Sequence, residues 1–269
     1  MRFRIMRRAL VASAASALLW GCHASDSMGE QPAGETPRIQ EQVAQAAPLE
    51  EPFRVLLLGD SISIGYTQHV QRILEGRALV VRPTNARGGA ENCQGTNNAL
   101  VVEDDGRTKL ERWLALEGGE WDVIHFNFGL HDLKRVQAES GRNSNNPDDP
   151  HQADPDRYAS QLAQIVERLE QTGARLVLAT TTPVPTGDLR PYREPADAVL
   201  YNERAQAVAA EAGLVVNDLF GYAAPLLPLL QQPENVHFHQ EGSEALAYRV
   251  VNAVLGVAGH PPVYPGPAD

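Results

Sequence analysis

The chain has 269 residues, 43% hydrophobic and 21% charged, which is the balance of a folded globular protein and not of a disordered or collagenous one. Lys and Arg total 23 against 34 Asp and Glu, a formal net charge of −11. That acidity argues against nucleic acid as a partner, because phosphate binding wants a basic surface. Cys22 and Cys93 cannot build a disulfide framework, and a structural zinc site would want more thiols.

Arg2, Arg4, Arg7 and Arg8 make a basic start, followed by an uncharged apolar run from Ala9 to Trp20. About a dozen residues is short for a membrane span and right for a signal-peptide core. Leu19-Trp20-Gly21-Cys22 resembles a bacterial lipobox, in which the Cys is lipidated and becomes the mature N-terminus. Residues 1–21 are therefore expected to be a lipoprotein-type signal peptide and Cys22 the lipidation site. The protein would then lie in the bacterial cell envelope, held to the membrane by its N-terminal lipid only. Plain secretion after cleavage near Ala24, or an uncleaved anchor, are the alternatives. Residues 22–51 hold almost no large apolar side chain and read as a disordered linker. The folded domain is expected over 52–269, beginning near Phe53.

From Phe53 the pattern alternates. Phe53-Arg54-Val55-Leu56-Leu57-Leu58 is a short apolar run interrupted only by Arg54, as a strand covered on both faces would be. A helix follows over Ile62 to Leu74, then a strand at Leu79 to Val81 and a helix over Thr108 to Leu116. Trp121 to Phe128 reads as the third strand. Asp156 to Gln171 carries Tyr158, Leu162, Ile165, Val166 and Leu169 at helical spacing. A strand at Leu176 to Ala179, a helix at Ala196 to Ala212, a strand at Leu214 to Val216 and a closing helix over Gly242 to Leu255 complete the series. Such alternation predicts an α/β fold, three-layered α/β/α around a five-stranded parallel sheet. In such sheets ligands sit at the carboxyl ends of the strands.

Three polar blocks fall at that edge. The first strand ends Gly59-Asp60-Ser61, where Ser61 is exposed at a helix start or merely caps it. The third strand ends Gly129-Leu130-His131-Asp132. Near the C-terminus, Glu234 precedes His237 by three residues in a loop leading into the last helix. An acid at that spacing can reach the imidazole and fix its tautomer.

Taken in order, these blocks resemble the SGNH hydrolases, the GDSL esterase/lipase family, over roughly Phe53 to Leu255. The family has four blocks in order: Gly-Asp-Ser, a backbone donor in the second, here the Gly- and Asn-rich loop Asn85 to Leu100, Gly-x-Asn-Asp in the third, here Gly129 to Asp132, and Asp-x-x-His before a helix in the last. The resemblance implies a flavodoxin-like sheet and a serine ester hydrolase needing no cofactor. Ser61 would be the nucleophile, His237 the base and Glu234 the orienting acid. The oxyanion hole would combine the Ser61 N–H, a backbone N–H at Gln94 or Gly95, and the His131 side chain. Asp60 and Asn92 would line the site.

Two departures stand out. His131 replaces the family's Asn, a variant associated with a bacterial subgroup; a neutral imidazole still offers one N–H. Glu234 stands where Asp is usual. Cys93 reads as a buried small residue. His237 and His239, with His125 and His131, invite a zinc site, but no carboxylate cluster accompanies them and no metal is assigned. With 6% aromatics and no long apolar lid, the chain suits a short acyl group. An O-acetyl esterase on carbohydrate is expected, so the partner would be a small-molecule or polysaccharide ester. A lysophospholipase or thioesterase, or a silent glycan-binding lipoprotein, are the other readings.

Overall fold

The structure is a computed structural model that describes residues 48–264. The expected signal peptide over 1–21, the expected lipidation site Cys22 and most of the expected linker lie outside the described residues. Five strands form one all-parallel sheet: β1 (Phe53–Leu58), β2 (Ala78–Val81), β3 (Val123–Phe126), β4 (Arg175–Ala179) and β5 (Val215–Asn217), in the order β2-β1-β3-β4-β5. The parallel sheet is the one the alternating pattern predicts, and its order is the flavodoxin-like one that the family resemblance implies.

The helices are α1 (Ser61–Ile73), α2 (Thr96–Ala99), α3 (Lys109–Leu114), α4 (Pro155–Glu170), α5 (Pro195–Glu211), α6 (Leu219–Ala223), α7 (Leu227–Leu230) and α8 (Gln240–Ala258). α1 and α8 pack together on the sheet, and α4 and α5 form the second pair. Right-handed crossovers put these pairs on opposite faces. Each face buries aliphatic side chains; Val55 to Leu58 and Val123 to Phe126 are sealed, as central strands require. Asp154 caps α4, accepting from the backbone of Asp156 and Arg157, and Pro155 opens its first turn. Among the described residues no helix is long and apolar enough to cross a membrane.

Element ends shift from expectation by up to three residues, and two of the boundary differences have evident local causes. The expected linker ended at residue 51, yet Leu49 N–H donates to the Ala258 carbonyl at 2.9 Å and Glu51 pairs with Arg77 at 2.9 Å. The chain is thus docked on the end of α8 from about Leu49, because Leu49 packs against the core there. β3 stops at Phe126, not Phe128. Asn127 Nδ2 donates to the Ala179 carbonyl at 2.7 Å, and Gly129 turns the chain with φ 146°. A side chain at Gly129 would meet Thr181 Oγ1 at 2.1 Å, so the turn needs glycine. Leu58 and Phe126 lie side by side in the register, which brings the loops after β1 and β3 to one edge.

Candidate active site

Ser61 is the first residue of α1, directly beyond β1. Asp60 caps that helix: its Oδ1 accepts from the Ile62 N–H at 2.9 Å. A Cβ on Gly59 would stand 2.9 Å from Ser63 Cβ, so the elbow needs glycine. Asp60 is itself buried beneath the elbow and does not line the cleft, contrary to the expectation that it might. Burial raises its pKa.

His237 comes from a tight loop between α7 and α8. Gln231 and Phe238 pair across this loop, and Gln231 Nε2 donates to the carbonyls of Pro183 and Val236, both at 3.0 Å. A Cβ on Gly242 would stand 2.1 Å from the Leu230 carbonyl oxygen, so the start of α8 is pressed against the end of α7. The loop thereby sets His237 Nε2 2.8 Å from Ser61 Oγ. Such a couple can pass the hydroxyl proton to the imidazole as the oxygen attacks.

The partner of His237 Nδ1 is Asn235 Oδ1, at 2.7 Å, and not Glu234. The physical reason is local. Glu234 adopts a left-handed conformation, φ 51°, and its side chain lies over Gly187. Asn235 then makes an Asx turn, its Oδ1 also accepting from the His237 backbone N–H at 3.1 Å. Asn235 Nδ2 donates to Gln232 Oε1 at 3.1 Å, which keeps the amide oxygen toward His237. An amide oxygen can only accept, so Nδ1 carries the proton and Nε2 is free to accept from Ser61. An Asn two positions before a His is the signal in the sequence that reveals this arrangement.

The cleft around this couple holds about 510 Å³, and its walls include Ser61, Asn92, His131, Arg193, Glu234 and His237. Neither of the backbone donors expected from the second block lines it. Gln94 N–H is turned back onto Asn92 Oδ1 at 2.9 Å. Gly95 packs on the third block, where a Cβ would stand 2.6 Å from Asp132 Oδ1. Asn92 faces the cleft instead. Its oxygen is held by Gln94, and its Nδ2 has no partner among the described residues.

His131 lies in the cleft wall with Nδ1 3.3 Å from the Lys134 ammonium. An ammonium only donates, so Nδ1 accepts and Nε2 carries the ring proton. Burial, with the charges of Lys134, Arg193 and His237 adding to it, pushes the His131 pKa down to about 3. The ring is a neutral donor near pH 7. Behind it, Asp132 Oδ1 accepts from Thr96 N–H at 2.8 Å and Thr96 Oγ1 at 2.7 Å, pinning the second block to the third.

Cys93 is fully buried, and burial pushes its thiol up to about 12, which leaves it protonated and inert. His125 is sealed in β3 with Nε2 3.1 Å from the Asn217 amide. His239 precedes α8 and is exposed. Among the described residues no group of three or more His, Cys, Asp or Glu side chains is placed to hold a metal. Arg193 and Asn235 are the site residues that the sequence reading missed.

The model of the GDSL-like lipase/acylhydrolase family matches residues 57–245. No curated protein sequence matches the chain. Among solved structures, a catalytic mutant of Axe2, an acetylxylan esterase from Geobacillus stearothermophilus, is similar with TM-score 0.56 and 16% identity, over 80% of this chain and 98% of that one. A lipase/acylhydrolase from Enterococcus faecalis has TM-score 0.54 and 21% identity, over 76% and 96%. A GDSL-like lipase from Bacteroides thetaiotaomicron has TM-score 0.53 and 16% identity, over 80% and 93%. At these identities the likeness is one of fold. With the family model spanning most of the described chain, the protein belongs to the GDSL-like lipase/acylhydrolase (SGNH) family and is a carboxylic ester hydrolase.

Proposed function

We propose that the protein is a short-chain esterase that removes O-acetyl or similar small acyl groups from carbohydrate. The observation that carries the reading is the 2.8 Å contact between Ser61 Oγ and His237 Nε2 in an open cleft. Ser61 Oγ attacks the ester carbonyl while His237 Nε2 takes its proton. His237 then protonates the leaving alcohol oxygen, and water, deprotonated by the same nitrogen, hydrolyses the acyl-enzyme. Asn235 orients the imidazole, in the place where a Ser-His-Glu triad would have put Glu234. The oxyanion is held by the Ser61 N–H, the His131 Nε2–H and the Asn92 amide, each donor being worth roughly 3–4 kcal/mol of barrier.

The acetylxylan esterases among its structural neighbours favour acetyl-carbohydrate over the lysophospholipase or thioesterase reading. The sequence Gly129-Leu130-His131-Asp132 is read as a bacterial variant of the third block, with imidazole in place of amide. The basic, then apolar, then Gly-Cys start supports an envelope lipoprotein anchored through Cys22. Fatty-acid labelling that persists in Cys22→Ser would overturn that placement.

The test of activity is a chain-length series of nitrophenyl esters followed by acetate release from acetylated polysaccharides. Acetyl esters should be cleaved best, and a fluorophosphonate should label Ser61. Ser61→Ala should lose several orders of magnitude of activity while keeping its melting temperature. Retention of more than about a tenth of the activity removes Ser61 as nucleophile. A preference for long acyl chains turns the reading to a lysophospholipase.

A further inference from the structure

Arg193 lies in the loop between β4 and α5 and lines the catalytic cleft. It is only 7% exposed. Its Nε donates to the Leu130 carbonyl at 2.9 Å and its Nη1 to the Pro191 carbonyl at 3.3 Å. Those bonds hold the group in place, and among the described residues Nη2 has no acceptor and no carboxylate pairs with the cation. Lys134, also 7% exposed, stands against His131 Nδ1 with no carboxylate partner among the described residues.

Unpaired buried cations are costly, and this chain has acids in excess. The other charges of the cleft wall do not quench Arg193. Arg190 is paired with Asp188 at 2.7 Å. Glu234 is exposed, so water screens it, whereas Arg193 is buried but for its cleft-facing edge. The buried Asp60 acts on Arg193 only through its field, without a hydrogen bond. A fixed, mostly buried guanidinium with a free N–H edge is complementary to a planar carboxylate.

We propose that Arg193 is a carboxylate-binding subsite of the catalytic cleft, so that the ester substrate is an acidic, uronate-type sugar. This rests on the short-acyl esterase reading: an acetyl group carries no charge, so the carboxylate belongs to the alcohol part. Arg193 then anchors the sugar while Ser61 meets its acetyl group, and neutral sugars lose that anchor.

The experiment compares meta- and para-acetoxybenzoate with their neutral methyl esters, following phenol release by wild type, Arg193→Gln and Arg193→Lys. Wild type should favour the better anionic isomer over its neutral counterpart by about tenfold in kcat/KM, mostly through KM. Arg193→Gln should erase that ratio, and Arg193→Lys should keep part of it. A role confined to bracing the loop or balancing Asp60 would lower both esters alike and leave the ratio unchanged, which overturns the proposal. Trigalacturonate and xylotriose are compared for binding to Ser61→Ala by calorimetry, which needs neither turnover nor a folded Arg193 variant. Only the acidic trimer should bind, and equal binding, or none, also overturns the proposal. If wild type cleaves neither ester yet Ser61→Ala binds trigalacturonate selectively, the subsite stands and the short-acyl esterase reading falls.

Discussion

Asn235 Oδ1 accepts two hydrogen bonds from His237, one from Nδ1 at 2.7 Å and one from the backbone N–H at 3.1 Å. One amide oxygen therefore sets both the loop conformation and the imidazole tautomer. A carboxylate there would also stabilise the imidazolium by charge; an amide orients without that attraction, as in Cys-His-Asn proteases.

Three variants separate these roles. Asn235→Ala should lower kcat by about a hundredfold or more, since the ring loses its tautomer and aim. Asn235→Asp should keep or exceed wild-type activity, because it retains the acceptor and adds the charge. Glu234→Gln should cost less than about fivefold, given that the Glu234 carboxylate does not hold Nδ1. Steady-state kinetics on nitrophenyl acetate decide it. If Glu234→Gln is the crippled variant, the orienting group is Glu234 after all.

Much of this was legible in the residues. Val55–Leu58 of β1 and Leu176–Ala179 of β4 show as apolar runs because both faces are covered, and α4 shows in the spacing of Tyr158, Leu162 and Leu169. Ser61, His131 and His237 stand out because polar residues at the carboxyl ends of strands and at helix starts are where chemistry is expected. What stayed hidden depends on tertiary neighbours. β3 ends early because Asn127 reaches Ala179 on the adjacent strand. Gln94 fails as a donor because its N–H turns onto Asn92. Arg193 sits in an Arg- and Pro-rich loop that reads as solvated, and only packing against Leu130 and Pro191 reveals it as buried. Spacing alone made Glu234 the natural partner of His237; the left-handed backbone at 234 hands the position to Asn235.

His131 supports a second prediction. Its Nδ1 faces the Lys134 ammonium, so the Nε2–H is left for the cleft. His131→Ala should lower kcat by roughly a hundredfold with a smaller change in KM, because the bond strengthens only as the oxyanion forms. His131→Asn should retain much of the activity by restoring an amide donor. The variants should melt within a few degrees of each other, which separates lost catalysis from lost folding. Wild-type kcat in His131→Ala would leave the oxyanion to Ser61 and Asn92.

The last prediction concerns pH and stability, where two neighbours pull in opposite directions. Asp132 is sealed, with Oδ2 lacking any partner among the described residues, and burial pushes its pKa up from 3.8 to about 6. The folded protein thus holds that proton more tightly than the unfolded chain. The stability gained is full below about pH 4 and is lost as pH rises through 6. For His131 the sign reverses. Its pKa falls from 6.5 to about 3, so the unfolded chain takes up the proton first as pH drops. Its contribution is full above pH 6.5 and is lost as pH falls toward 3. Each effect is on the order of 1–3 kcal/mol, and in the wild type they partly cancel between pH 4 and 6. Asp132→Asn keeps an acceptor for Thr96 but removes the ionisation. Its melting temperature relative to wild type should therefore rise from pH 4 to pH 7. His131→Asn should show the opposite trend, gaining on wild type as pH falls over the same range. Thermal melts of the three proteins across that range check both signs. A difference that stays flat with pH would mean that neither group titrates where its burial puts it.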